Sequence, residues 1–335
     1  MRITFYTHKK IEDIRRVGFY SQDINILKDI GHEVRVTNHL HQLLYPADLY
    51  YVWWWTAAAP PVFVGRLLRK PVIVTGVFNY SLPIENGVDY IRRKRWHKAL
   101  INYALARASA NVFVSRFEHG LVPSELEVEN PMYIPLTVDA EIFDYADESQ
   151  RQEALVLNIA WSGKHNAIRK CLHQVVEAMP LVVADVPKAK FVMCGTPGHH
   201  HEGLVQRAKE LGVERHVEFR GYVGEEEKIR LMQECAVYLS PSLYEGFGLA
   251  IAEAMSCGAP VVSSAVGAVP EVTGGSAKLV DGRDVEAIAR ATIELLKDRE
   301  ERERRGTQGR KRICREYGYY VRRDGLASLI ESACG

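Results

Sequence analysis

Twice along the chain, short apolar runs alternate with longer amphipathic segments. In the first series the runs are Arg2–Thr7, Glu33–Thr37, Leu49–Trp54, Pro71–Thr75, Asn111–Ser115 and Met132–Pro135, with helical spacing at Ser21–Asp29 and Tyr90–Arg107. In the second they are Ala154–Ala160, Lys190–Cys194, His216–Arg220, Val237–Ser240, Pro260–Ser263 and Ala277–Val280. Helical spacing there falls at Arg169–Ala184, Gly203–Leu211, Glu225–Glu234, Phe247–Cys257 and Val285–Asp298. Strands joined through helices pair by crossovers, so the pattern implies βαβ units and parallel sheets. A chain of 335 residues has room for two such domains. Between the series, Asp139–Glu153 carries six acidic residues and reads as the inter-domain link. The expected division is 1–145, 146–316 and a closing helix 317–335, with Leu326, Leu329 and Ile330 on one face. Two doubly wound α/β domains in tandem imply a central cleft, with ligands beyond the carboxyl ends of the strands.

Charge excludes some partners. Lys+Arg number 43 against 42 Asp+Glu, net +1, without the basic excess of a polyanion binder, so no nucleic acid is expected. The longest apolar stretch, Leu49–Val64, is interrupted by Pro60 and Pro61, so no membrane span is expected. Met1–Phe5 reads as a strand and not as a signal peptide. The six cysteines all lie in the second half and form no C-x-x-C pair, so neither zinc nor disulfides are expected and a cytoplasmic location is. The tract His199–His201 lacks the spacing of a metal site.

One stretch carries most of the chemistry, Ser240–Met255, SPSLYEGFGLAIAEAM. It follows a strand and opens a helix. Gly246 and Gly248 allow close backbone approach, and the free N–H groups of a helix start attract phosphate. Glu245 lies at the mouth of the turn and Glu253 two turns along the helix. Carboxylates only accept hydrogen bonds, which suits sugar hydroxyls on either side of a diphosphate. Either glutamate alone reads as an ordinary helix or turn residue; strand, turn, glycines and both acids in order do not.

The stretch resembles the E-x7-E signature of retaining glycosyltransferases of the GT-B fold, family 4. Cys257-Gly258-Ala259-Pro260-Val261-Val262 resembles the C-G-x-P-V-V of that family. Gly267-Ala268-Val269-Pro270-Glu271-Val272 resembles its G-G-x-P-E-v turn, with Ala268 for the second glycine. Val217–Val223 resembles its V-x-F-x-G-y-v. Ile134-Pro135 with Val138-Asp139 and Phe143 resembles I-P-N-G-V-D-x-x-x-F, with Leu136-Thr137 for Asn-Gly. Gly31-His32-Glu33-Val34 matches its G-H-E-V. The likeness is dense over 150–285 and sparse over 1–145.

The resemblance implies a GT-B fold of two Rossmann-like domains, with the last helix crossing back to the first. It implies transfer of a hexose-type sugar, with retention, from a nucleotide diphosphate sugar to a sugar, lipid-linked or small-molecule hydroxyl. Glu253 would accept from the ribose and Glu245 from the transferred sugar. The amides of Gly246, Phe247, Gly248 and Leu249 would face sugar and diphosphate, and Tyr222 and Val223 would border the base. The family's Lys matches Lys170; for its Arg the best substitute is Lys164, which follows Gly163, with Arg169 the alternative. These cations would oppose the charge on the departing diphosphate, the service Mg²⁺ renders elsewhere, so no metal and no cofactor beyond the donor are expected. No D-x-D triplet occurs.

The acceptor half is thinner. Gly18 stands where relatives have a G-G loop and is a candidate contact to phosphate or acceptor. Relatives often have a His after the fourth strand, and none occurs there. Asn79 and Tyr80 are the acceptor candidates, with a leaving-group phosphate oxygen as the alternative proton acceptor. Trp53-Trp54-Trp55 ends the third strand. Its rings, Trp55 nearest the expected cleft, could stack on a sugar, although alternation sends at least one to the core. The basic run Arg92–Lys98 reads as a helix that lies on an anionic membrane or as a solvated face. Residues 1–145 hold 17 Lys+Arg and 15 Asp+Glu, which tempers the membrane reading. The competing functions are a nucleotide-sugar epimerase or phosphorylase on the same fold and a nucleotide-binding subunit without catalysis. No G-x-G-x-x-G follows the first strand of either half, which disfavours a dehydrogenase.

Overall fold

Each series of apolar runs forms one six-stranded sheet in which every pairing is parallel. The computed structural model describes residues 1–85 and 87–334, without the side chains of Asp13, Arg15 and Arg16. The first sheet holds β1 (Arg2–Tyr6), β2 (Glu33–Thr37), β3 (Leu49–Trp53), β4 (Val72–Gly76), β5 (Ala110–Phe113) and β6 (Pro131–Tyr133), in the order β2-β1-β3-β4-β5-β6. The second holds β7 (Gln152–Ile159), β8 (Lys190–Cys194), β9 (Val217–Gly221), β10 (Cys235–Ser240), β11 (Val261–Ser264) and β12 (Lys278–Val280), in the order β12-β11-β10-β7-β8-β9. Strands covered by helices on both faces need apolar residues throughout. Accordingly β3 (LYYVW) and β10 (CAVYLS) are buried at every residue. The expected parallel α/β fold is present in both halves.

The chain divides into two compact units. One comprises Met1–Ser81, Val88–Thr137 and Tyr319–Gly335; the other comprises Leu82–Gly87 and Val138–Gly318. The crossing at Thr137/Val138 precedes the acidic segment. That segment is part of the second unit: Phe143 is buried, and its carbonyl accepts from Ser256 Oγ at 2.9 Å and Arg310 Nη1 at 2.7 Å. Glu148 pairs there with Arg302 at 2.5 Å and Asp144 with Arg310 at 3.6 Å. The helix Tyr319–Cys334 returns to the first unit, with Leu326, Leu329 and Ile330 all buried.

Three helix expectations need correction. The helix expected over Tyr90–Arg107 spans Arg95–Arg107, so Arg92, Arg93 and Lys94 of the basic run precede it in a turn. The Asp89 carboxylate takes the Arg92 N–H at 3.1 Å and pairs with its guanidinium, which holds the turn. The helix expected over Arg169–Ala184 is two helices, Lys164–Arg169 and Leu172–Asp185, broken where Cys171 adopts φ +51°. The helix expected from Phe247 begins at Leu249, because Gly248 at φ +89° turns the chain into it.

Candidate active site

In the second sheet the strand order reverses between β7 and β10, and such a switch point leaves a crevice at the carboxyl ends. The chain leaving β7 reaches the Lys164–Arg169 helix, and the chain leaving β10 reaches Ser242 and Glu245. The two meet on Glu245, which is buried at 6% exposure. Lys170 Nζ donates to Glu245 Oε1 at 2.5 Å, Ser242 Oγ donates to the same oxygen at 2.6 Å, and Arg169 Nη1 lies 3.2 Å from Oε2. Arg169 also donates to the Tyr244 carbonyl at 2.6 Å. Burial pushes the Glu245 carboxyl up, but the Lys170 and Arg169 charges and the Lys170 and Ser242 hydrogen bonds outweigh it and hold it at about 2. Glu245 is therefore an anion that gathers two cations at the switch point.

Of the two candidates for the arginine position, Arg169 stands beside Glu245. Lys164 opens its helix exposed to solvent. Gly267, at φ +51°, lets a second loop back onto this site. A Cβ there would lie 2.1 Å from the Glu245 carbonyl oxygen, which accepts the Ala268 N–H at 2.9 Å. Ala268 itself has φ −82°, so the departure from the family's second glycine costs no strain.

Glu253 sits on the helix Leu249–Ser256, also at 6% exposure. Burial raises its pKa, opposed by the charge and hydrogen bond of Lys228, whose Nζ lies 3.2 Å from Oε1. Lys228 is held over the Phe143 ring, 4.7 Å from its centroid. Phe247 is buried and packs edge-on against Tyr317, so only its backbone is available to a ligand. Gly246 is buried beside it, and Leu249 is half-buried at the first helical position. Tyr222, 70% exposed, and Val223 follow β9 at the edge of the sheet. Among the described residues no group of three or more His, Cys, Asp or Glu side chains could hold a metal ion.

The first sheet reverses between β1 and β3, and a pocket of about 630 Å³ lies at the carboxyl ends there. Its walls come from the chain after β1 (His8, Lys9), after β3 (Trp54, Trp55, Thr56) and after β4 (Val77, Phe78, Asn79), and from residues 88–101. Asn79 belongs to it, at φ +52°, its loop pinned where the Glu118 carboxylate takes the Phe78 N–H at 2.9 Å and the Asn79 N–H at 3.1 Å. Tyr80 does not: its ring stacks on Tyr90, and its hydroxyl donates to Glu125 at 3.0 Å. Trp55 forms a wall but is 3% exposed, its indole N–H spent on Asn111 Oδ1 at 2.8 Å. Trp54, turned outward by φ +82°, is the half-buried ring of the three. Gly18 opens the helix Gly18–Asp29 and is not in the pocket wall.

Residues 157–312, the region that carries this switch-point cluster, match the profile of glycosyl transferases group 1. The chain carries a glycosyl transferases group 1 region. The O-antigen chain mannosyltransferase B of Escherichia coli is 33% identical over 164 residues, 46% of this chain and 43% of that protein. The chain thus spans less than half the length of this curated relative. Among solved structures, sucrose-phosphate synthase from Thermosynechococcus elongatus superposes with a TM-score of 0.80 at 19% identity, covering 99% of this chain and 98% of that one. Anabaena Alr3699/HepE, in complex with UDP and glucose, gives 0.77 at 17% identity over 99% and 100%. These likenesses establish the GT-B fold.

Within this group 1 region Lys228 bears no mark in the sequence that separates it from the other charges of the Glu225–Glu234 helix. Outside the region, His8 and His97 line the pocket although no histidine follows β4: they arrive from β1 and from the helix Arg95–Arg107.

Proposed function

We propose that the chain is a retaining, metal-independent glycosyltransferase of family 4. It transfers a hexose from a nucleotide diphosphate sugar held by the second unit to a hydroxyl acceptor held by the first. The observation that carries this reading is the convergence of Lys170, Arg169 and Glu245 at the β7/β10 switch point, with Glu253 on the adjoining helix. In the reaction the acceptor oxygen bonds to the anomeric carbon as the bond from that carbon to the diphosphate breaks. The electron pair leaves on the diphosphate, and the acceptor proton passes to a phosphate oxygen. Negative charge grows on the leaving group, where the Lys170 and Arg169 cations and the amides at the start of Leu249–Ser256 oppose it. Those two cations supply the charge a divalent ion supplies in other transferases. Glu245, ionised by its neighbours, orients both and offers its carboxylate to the sugar hydroxyls. Glu253 accepts from the ribose.

Glu253→Ala is expected to weaken nucleotide-sugar binding by about 1–3 kcal/mol, the cost of losing a buried hydrogen bond. Calorimetric titration with uridine, guanosine and adenosine diphosphosugars measures it, and unchanged affinity would remove the ribose role. The carboxylate's pKa is raised by burial, so affinity should fall as pH drops through that raised value.

We also place a contact with anionic membrane on the first unit. The helices Ala59–Leu68 and Arg95–Arg107 leave Phe63 61%, Leu67 67%, Trp96 62% and Leu100 46% exposed. Each pair is four residues apart and shares a helix face, and Arg66, Arg69, Lys70 and Arg95 lie on the same elements or next to them. Among the described residues no helix is long and apolar enough to cross a membrane. In co-sedimentation, vesicles containing phosphatidylglycerol should retain the protein, phosphatidylcholine vesicles should not, and Trp96→Asp should lower retention roughly tenfold. Equal retention on both vesicles would remove this surface from the account.

A further inference from the structure

The pocket of the first unit is unusual in its charge. Four of its lining side chains are basic, Lys9, Arg93, His8 and His97, and none is acidic. Among the described residues neither Lys9 nor Arg93 makes an ion pair, and Arg93 Nη1 faces the His97 ring, 3.4 Å from Nδ1. Asp89 acts on Arg93 through its charge but pairs with Arg92. The backbone amides of Phe78 and Asn79 are already taken by Glu118, so the cations are what this pocket offers an anion.

The histidines register the crowding. Burial lowers the pKa of His8, and Lys9 and Arg93 lower it further. Burial and then Arg93 lower that of His97, against a raising contact from the Thr56 backbone. Four basic groups thus share one concavity, in which Lys9 and Arg93 disfavour the charged form of His8 and Arg93 that of His97. An anion in their midst relieves every one of these interactions. Trp54 and Tyr90 add flat apolar walls of the kind that pack against the C–H faces of a ring polyol. About 630 Å³ lies within the size range of small-molecule pockets and holds a phosphorylated monosaccharide or cyclitol.

We infer that this pocket takes a phosphate-bearing polyol, so that the acceptor of the transfer is an anion and not a neutral sugar. Calling this ligand the acceptor rests on the glycosyl-transfer reading; the phosphate selectivity of the pocket does not. Lys9 and Arg93 grip the phosphate. His8 and His97 become protonated as it binds, which couples phosphate binding to proton uptake.

Ring resonances of His8 and His97, assigned through His8→Gln and His97→Gln, test this by titration in solution. The additions are inorganic phosphate, glucose 6-phosphate, glucose, and vesicles of phosphatidylinositol or of phosphatidylcholine. Inorganic phosphate and glucose 6-phosphate should both raise the ring pKa values, and glucose should leave them where they are. Glucose 6-phosphate should bind roughly tenfold or more tightly than glucose. Arg93→Gln should remove most of that advantage without changing the affinity for uridine or guanosine diphosphate. A response to phosphatidylinositol vesicles exceeding that to glucose 6-phosphate assigns the phosphate to a lipid headgroup; the reverse assigns it to a free sugar phosphate. Rings that ignore phosphate, or that answer glucose and glucose 6-phosphate alike, overturn the inference, as does undiminished selectivity in Arg93→Gln. If no nucleotide binds while the rings still answer phosphate, glycosyl transfer fails and the anion pocket stands.

Discussion

Glu245→Ala is expected to abolish turnover and to destabilise the second unit by about 3–5 kcal/mol, because it strands the buried Lys170 cation and the half-buried Arg169 cation that now share one counter-charge. Lys170 is buried at 9% exposure, and burial and the neighbouring Arg169 push its pKa down while Glu245 pushes it up. Without Glu245 the ammonium loses the opposing influence and is driven towards its neutral form. Urea unfolding measures the first effect and product analysis with the preferred donor the second. The double variant Glu245→Leu with Lys170→Met separates the two roles. It removes both charges of the shorter contact, so part of the stability should return while turnover stays lost. Recovery of turnover there, or full activity in Glu245→Ala, would reduce Glu245 to a packing residue. The wild-type pH dependence follows the same pair. The Glu245 carboxyl falls from an ordinary 4.5 to about 2 in the folded chain, so its stabilisation is complete above 4.5 and is lost as pH falls towards 2. Glu245→Gln should lack that segment of the acid-unfolding curve.

Arg322→Ala should cost a comparable amount in the first unit, about 3–5 kcal/mol, since its partner Asp23 is fully buried. Arg322 Nε and Nη2 donate to the two Asp23 oxygens at 2.5 and 2.8 Å, and Nη1 donates to the Ile134 and Pro135 carbonyls at 2.9 and 3.0 Å. Tyr51 and Trp53 each donate to Asp23 at 2.8 Å, which binds the helix Gly18–Asp29, β3 and the returning helix into one network. Burial pushes Tyr51 well above its ordinary pKa and the Asp23 charge adds to this, so the phenol stays a donor. Loss of Arg322 leaves the carboxylate with two donors and no counter-charge. The expected signs are a lower urea midpoint and faster proteolysis just before Tyr319. A loss under about 1 kcal/mol, the scale of an exposed pair, would contradict a closure held by this ion pair.

The strands were legible because a parallel sheet covered on both faces demands continuous apolar runs, and few other structures do. Helix ends were less so. Cys171 at φ +51° and Trp54 at φ +82° carry no sequence mark, since glycine is what usually signals the left-handed region. The glutamates were legible because Glu245 and Glu253 sit on one continuous strand–turn–helix segment. The cations around them were only partly so. By motif Lys164, after Gly163, is the better match for the arginine position, but the fold of the 164–170 segment brings Arg169 and not Lys164 to Glu245. Lys228 reaches Glu253 from another helix, a contact set by tertiary packing. The pocket of the first unit was hidden for the same reason. Arg93 and His97 stood out as part of a surface charge run, and only the turn at Asp89 shows that they face a concavity with His8 and Lys9.

The donor site is tested most directly by a crystal structure with the nucleotide sugar that binds best in the calorimetric screen. The diphosphate is expected at the start of the helix Leu249–Ser256, beside Arg169 and Lys170. The ribose should lie on the Glu253 carboxylate and the sugar within reach of Glu245. Donor density seated away from both glutamates would contradict it.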